Sequence, residues 1–122
     1  MNRLIAAFAI LCIGNVAAAE PATTSKDPSQ HRYMVERTFP AGALAGLDMA
    51  TKEKINATNA KFGVTWEMSY ANNEKTKTYC VYDAPNENAV REAAKANGIS
   101  VDSVMEVPVT LNANAADATL AR

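Results

Sequence analysis

Apolar and polar positions change their spacing along the chain in an orderly way, and each change marks an element. Tyr33, Val35, Arg37 and Phe39 alternate with Met34, Glu36 and Thr38, a period of two that predicts a strand. Pro40 follows at a place suited to a helix start. Over residues 41–62 the apolar side chains Leu44, Leu47, Ile55 and Phe62 fall near one helical face. Lys52, Glu53 and Lys61 are left for the wet side, and Gly63 closes the helix as a residue just past a C-terminus would. Val64, Trp66, Met68 and Tyr70 then fall on one face of a second strand, with Thr65, Glu67 and Ser69 on the other. A polar turn at residues 72–75 leads into residues 76–83, rich in the Thr, Tyr and Val that strands favour. The short connection makes these two strands a hairpin. Pro85 breaks the strand, Asn86 suits an N-cap, and a helix over residues 87–97 ends at Gly98. Residues 101–111 read as a last strand. Pro108 has no N–H for a central ladder, so this strand belongs at a sheet edge.

The order strand, helix, strand, strand, helix, strand predicts an α+β fold, the ferredoxin-like plait (βαββαβ). It has an antiparallel four-stranded sheet with two helices on one face. The last strand of a plait is an edge strand, in agreement with Pro108. Nothing in the chain covers the second sheet face, and a two-fold homodimer is the commonest way to cover it.

The ends of the chain read differently. Arg3, the apolar stretch over residues 4–16 and the small residues Ala17, Ala18 and Ala19 form the three parts of a secretory signal, with cleavage expected after Ala19. That stretch is too short for the roughly 20 residues that cross a bilayer. The expected product is therefore periplasmic or secreted, with no stable membrane anchor after cleavage. The expected organisation is a signal peptide at 1–19, a flexible tether at 20–30, a folded domain at 31–111 and a flexible tail at 112–122. Cleavage removes Cys12 and leaves Cys80 alone, so no intrachain disulfide can form. The 12 basic and 13 acidic side chains nearly balance and form no basic run, which argues against nucleic acid as a partner.

Four segments carry a resemblance: residues 32–40 (RYMVERTFP), 62–66 (FGVTW) with Ser69 and Tyr70, 77–85 (KTYCVYDAP) and 101–107 (VDSVMEV). Together they resemble a family of small ferredoxin-like proteins, largely of unassigned function, that includes nickel-binding dimeric members. The resemblance implies the plait and a dimer, and it hands over no activity. Nickel-binding members place histidines in and just after the first strand, where this chain reads Glu36, Arg37, Thr38 and Phe39. They also tend to place one two residues after the aromatic of the second strand, where Met68 stands. Imidazole is the usual nickel ligand, and His31 is the chain's one histidine. Nickel is the cofactor the resemblance suggests, but the expected histidines are missing.

Five residues are candidate ligand contacts: Glu36, Trp66, Tyr70, Tyr82 and Glu106. Glu36 and Arg37 point to opposite faces of the first strand, which places Glu36 on the uncovered face. Glu106 is its expected companion, because a plait sets the first and last strands side by side, and paired carboxylates can hold a proton or a metal. Trp66 and Tyr70 share a strand face, with Tyr79 and Tyr82 on the next strand. Such aromatics line a pocket, fill a core or meet a second subunit. Cys80 reads as a buried, inert thiol, with no base or second cysteine to activate it. The sequence contains no CxxC, HExxH or glycine-rich phosphate loop, and no Ser-His-Asp set on a nucleophile elbow. No catalytic residue is assigned. The reading that results is an exported binding or sensor module that holds a metal ion or small ligand as a dimer. The alternatives are a cofactor-free enzyme of the dimeric α+β barrel type, using Glu36, Tyr70 or Tyr82 as acid or base, and a scaffold for an envelope partner.

Overall fold

The structure is a computed structural model that describes residues 27–116. The signal segment, most of the tether and the end of the tail lie outside the described residues. Four strands, β1 (His31–Thr38), β2 (Thr65–Ala71), β3 (Lys77–Ala84) and β4 (Ser103–Glu106), form one sheet in the order β2-β3-β1-β4. Every neighbouring pair is antiparallel. Two helices, α1 (Met49–Ala60) and α2 (Glu87–Ala96), complete the ferredoxin-like plait that the periodicity predicts. No helix among the described residues is long and apolar enough to cross a membrane.

The two central strands carry the core. In β1 the buried residues are Tyr33, Val35 and Arg37, and in β3 they are Thr78, Cys80, Tyr82 and Ala84. These alternate residues share the sheet face that meets α2, whose Val90 and Ala93 join the same cluster. Helix α2 forms where local signals agree. Asn86 Oδ1 accepts from the Ala89 N–H at 2.8 Å, and Arg91 bonds back to Glu87 one turn earlier. At its end the Ile99 N–H reaches Ala94 and the Gly98 N–H reaches Lys95, with Gly98 at φ 67, the six-to-one and five-to-two pair of a Schellman motif. Helix α1 ends the same way through Val64 and Gly63, the latter at φ 69.

Helix α1 begins later than Pro40 suggests. Gly42 adopts φ 81, a short 3₁₀ turn spans Ala43–Gly46, and Asp48 caps the helix by accepting from the Thr51 N–H at 2.8 Å. The cap holds the first free N–H groups and so sets the start. The helix that remains is weakly amphipathic, and its one fully buried residue is Asn59, whose Oδ1 accepts from Asn97 Nδ2 at 2.9 Å. Helix α1 thus brings few large apolar side chains toward the sheet, and an open cleft lies between them.

Strand β4 is shorter than residues 101–111. The Val107 N–H still reaches Arg32 O at 2.8 Å, and Pro108 then has no N–H to continue the ladder. Its edge position is as expected. Strand β2 holds the larger correction. Trp66 pairs with Tyr82 but Met68 pairs with Val81, so Glu67 is an extra residue in a β-bulge. The bulge reverses the parity of everything after it. Trp66 and Tyr70 therefore face opposite sides of the sheet.

Candidate functional site

The sheet presents two surfaces, and the five candidate residues are divided among three places. The face without helices carries a row Met68, Val81, Met34 and Met105 that crosses all four strands, and beside it a row Tyr70, Tyr79, Glu36 and Ser103. Met68, Tyr70 and Met105 are each more than half exposed, so this apolar face has no partner within the described residues. Glu36 lies here as expected and faces Lys77 Nζ at 3.5 Å. At the other end of the face Arg32 holds Asp83 through two hydrogen bonds of 3.1 and 3.3 Å. Glu67, displaced by the bulge, sits against Asp83. Burial first, and then the Asp83 hydrogen bond and charge, push the Glu67 carboxyl above its usual range.

Glu106 is not the companion of Glu36. It lies opposite Tyr33 in the ladder, whereas Glu36 lies opposite Ser103, so the two carboxylates project from opposite faces. Glu106 instead meets His31, with Oε1 and Nδ1 at 2.9 Å on the exposed edge. Adjacency of two strands does not settle which parity each residue takes, and register decides it.

Trp66 and Tyr82 lie together on the helix-bearing side. They line an open cleft of roughly 960 Å³ between the sheet and α1, bounded also by Phe39, Leu44, Leu47, Ile55 and Ile99. Its floor is the buried face of the central strands: Arg37, Thr78, Cys80 and Tyr82. Trp66 Nε1 donates to Ser69 Oγ at 2.8 Å, which fixes the indole along the wall. Cys80 Sγ donates to Thr78 Oγ1 at 3.4 Å and stays a buried free thiol, as expected. Burial pushes the Tyr82 hydroxyl upward, with only partial opposition from Arg37, so it remains protonated at neutral pH.

Arg37 is the residue that sequence reasoning passed over. It is 4% exposed, its guanidinium donates to Ser100 O at 2.9 Å and to the Tyr82 hydroxyl at 3.4 Å, and it lies 5.7 Å from the Tyr82 ring centroid. No Asp or Glu among the described residues pairs with it. The signal was visible in the alternation itself. Arg37 occupies the inward parity of Tyr33 and Val35, where a charge is costly unless something meets it.

A model of the nickel responsive protein SCO4226-like family matches residues 33–107. The chain belongs to that family. A solved structure, SCO4226 from Streptomyces coelicolor A3(2), is similar in fold: TM-score 0.57, 20% identity, and 66% of this chain covering 99% of that one. No curated protein sequence matches the chain. The family resemblance read from the strand segments is thus correct.

The family description raises nickel, and the donor set can be tested against it. Among the described residues no three His, Cys, Asp or Glu side chains gather as a metal would require. His31 and Glu106 supply two donors at an exposed edge, and Cys80 is buried away from them. These residues do not make a nickel site within one chain.

Proposed function

We propose that this protein is an exported, non-catalytic binding module that takes up a small ligand in the cleft beneath α1 and pairs as a homodimer through its open sheet face. The cleft carries the proposal. Its volume falls within the roughly 300–1,000 Å³ of small-molecule sites. Its lining pairs apolar and aromatic side chains (Phe39, Leu44, Leu47, Ile55, Trp66) with polar groups, of which Arg37 and Thr78 are buried beside Tyr82. Export rests on the three-part segment at residues 1–19. Dimerisation rests on the methionine and tyrosine rows, an apolar surface that calls for cover.

The reading as a cofactor-free enzyme draws on Glu36, Tyr70 or Tyr82, and the sheet separates the first two from the third. Tyr82 is also held protonated, which suits a hydrogen-bond donor better than a base. Native mass spectrometry of the protein from residue 20 onward, with metabolite and metal panels that include Ni²⁺, tests the proposal. A retained small organic molecule on a dimer is expected. Failure to retain any member of the metabolite panel would overturn the ligand reading, and a monomer throughout would overturn the dimer.

A further inference from the structure

The floor of the cleft holds a charge, Arg37, that no Asp or Glu among the described residues pairs with. A buried guanidinium has five N–H donors in a planar fork, and within the described residues Arg37 satisfies a carbonyl and a phenol with two of them. Arginine in a low-dielectric setting ordinarily meets a carboxylate, because removing a cation from water is expensive. Thr78 and Tyr82 flank the fork on the same sheet face, and Phe39, Leu44, Leu47 and Trp66 also line the cleft. Lys52, Lys54, Glu53 and Glu67 also line it. Arg37, Thr78 and Tyr82 thus form a buried polar floor, and apolar side chains line the cleft around it.

From this arrangement we infer that the cleft binds a small monoanion, a carboxylate carrying a flat or aliphatic apolar body. The carboxylate lies on Arg37 and the body lies along Trp66 and the residues 39–47 segment. This inference rests on the proposed ligand-binding function and names the ligand's class. Arg37 receives the carboxylate through its free N–H groups, and the fork geometry favours two parallel hydrogen bonds. Tyr82 accepts from Arg37 through its oxygen and so holds the fork in place. One buried cation matches one negative charge. Arg37 is the one buried cation of the lining among the described residues, so a monoanion fits its floor better than a dianionic phosphate.

Trp66 is the chain's only tryptophan, so its fluorescence reports on the cleft directly. The experiment titrates the protein from residue 20 onward with octanoate and phenylacetate, with their neutral amides, and with inorganic phosphate. Saturable changes in Trp66 emission are expected for the carboxylates, with amides and phosphate about tenfold weaker or worse. Arg37→Gln is expected to weaken carboxylate binding about tenfold or more and to leave amide binding nearly unchanged. Arg37→Lys, which keeps the charge and loses the fork, should fall between. A purely structural role for Arg37 would alter acids and amides alike. Should Arg37→Gln fail to fold, the comparison of acid with amide on the unaltered protein decides the matter. Equal affinity for acid and amide would overturn the anion assignment while the cleft remained a binding site. Phosphate binding as tight as the carboxylates would overturn the carboxylate class. Absence of any response from acids and amides would overturn the inference together with the binding reading.

Discussion

A guanidinium enclosed between a sheet and helices usually has a carboxylate within reach, and Arg37 has a carbonyl and a phenol. Other charged side chains in this fold are matched locally, Arg32 by Asp83 and Lys77 by Glu36. The fold holds the Glu67 carboxyl above its usual range, through burial and Asp83. In the unfolded chain it titrates near 4.5, so between that pH and its raised value the folded state binds more proton. Its contribution to stability is therefore fullest below about pH 4.5 and is lost as pH rises through the folded value. Glu67→Gln should raise stability at pH 7 and change it little at pH 4. The exposed position limits the gain to about 0.5 kcal/mol, readable by urea melts at the two pH values. Cys80, 4% exposed, should react with a thiol reagent orders of magnitude more slowly in the native protein than in urea. Rapid native labelling would show that the cleft floor opens.

The elements are stopped and started by short-range chemistry, and this can be checked one residue at a time. Gly63 sits at φ 69 with the Pro85 ring 3.6 Å from where a Cβ would stand. The contact is ordinary, so the cost of Gly63→Ala is the left-handed backbone, about 1–2 kcal/mol. Gly46 has open space around its Cβ position and no left-handed angle, so Gly46→Ala should be neutral or slightly stabilising. Thermal melts of the two variants should therefore move in different directions or by clearly different amounts. The bulge at Glu67 is the element-level feature with the largest consequence. One extra residue sends Trp66 to the cleft and Tyr70 to the open face. In the same way α1, capped at Asp48 and anchored by Asn59, is short and polar enough to leave the cleft unfilled.

At the scale of the molecule the sheet separates two roles. The helix-bearing side holds the core and the cleft, and the open side holds a methionine row between two charged ends. A homodimer through the open side would leave the cleft accessible in each subunit. Met34 lies within that row and is partly buried already. Met34→Lys should weaken a dimer by about 2 kcal/mol or more if the residue is central to it, while far-ultraviolet circular dichroism remains unchanged. Light scattering across a dilution series measures the shift, and an unaltered dimer would place the interface elsewhere.

Much of this was legible in the residues alone. Alternation in residues 33–39 and 76–83, the glycines after each helix and the proline in the last strand specify the element order, and the order specifies the plait. These signals are local, so they can be read without knowing what lies opposite. The position of Arg37 on the inward parity of the first strand was equally plain, although its role was not. What tertiary structure alone decided is which residues share a surface. The bulge parted Trp66 from Tyr70, and the register sent Glu106 to His31 and away from Glu36. The packing of α1 over the sheet left an open cleft above Arg37 and Tyr82. Each of these depends on pairing between segments distant in the chain. A single residue of register exchanges the two faces of a strand, and no local pattern reports it.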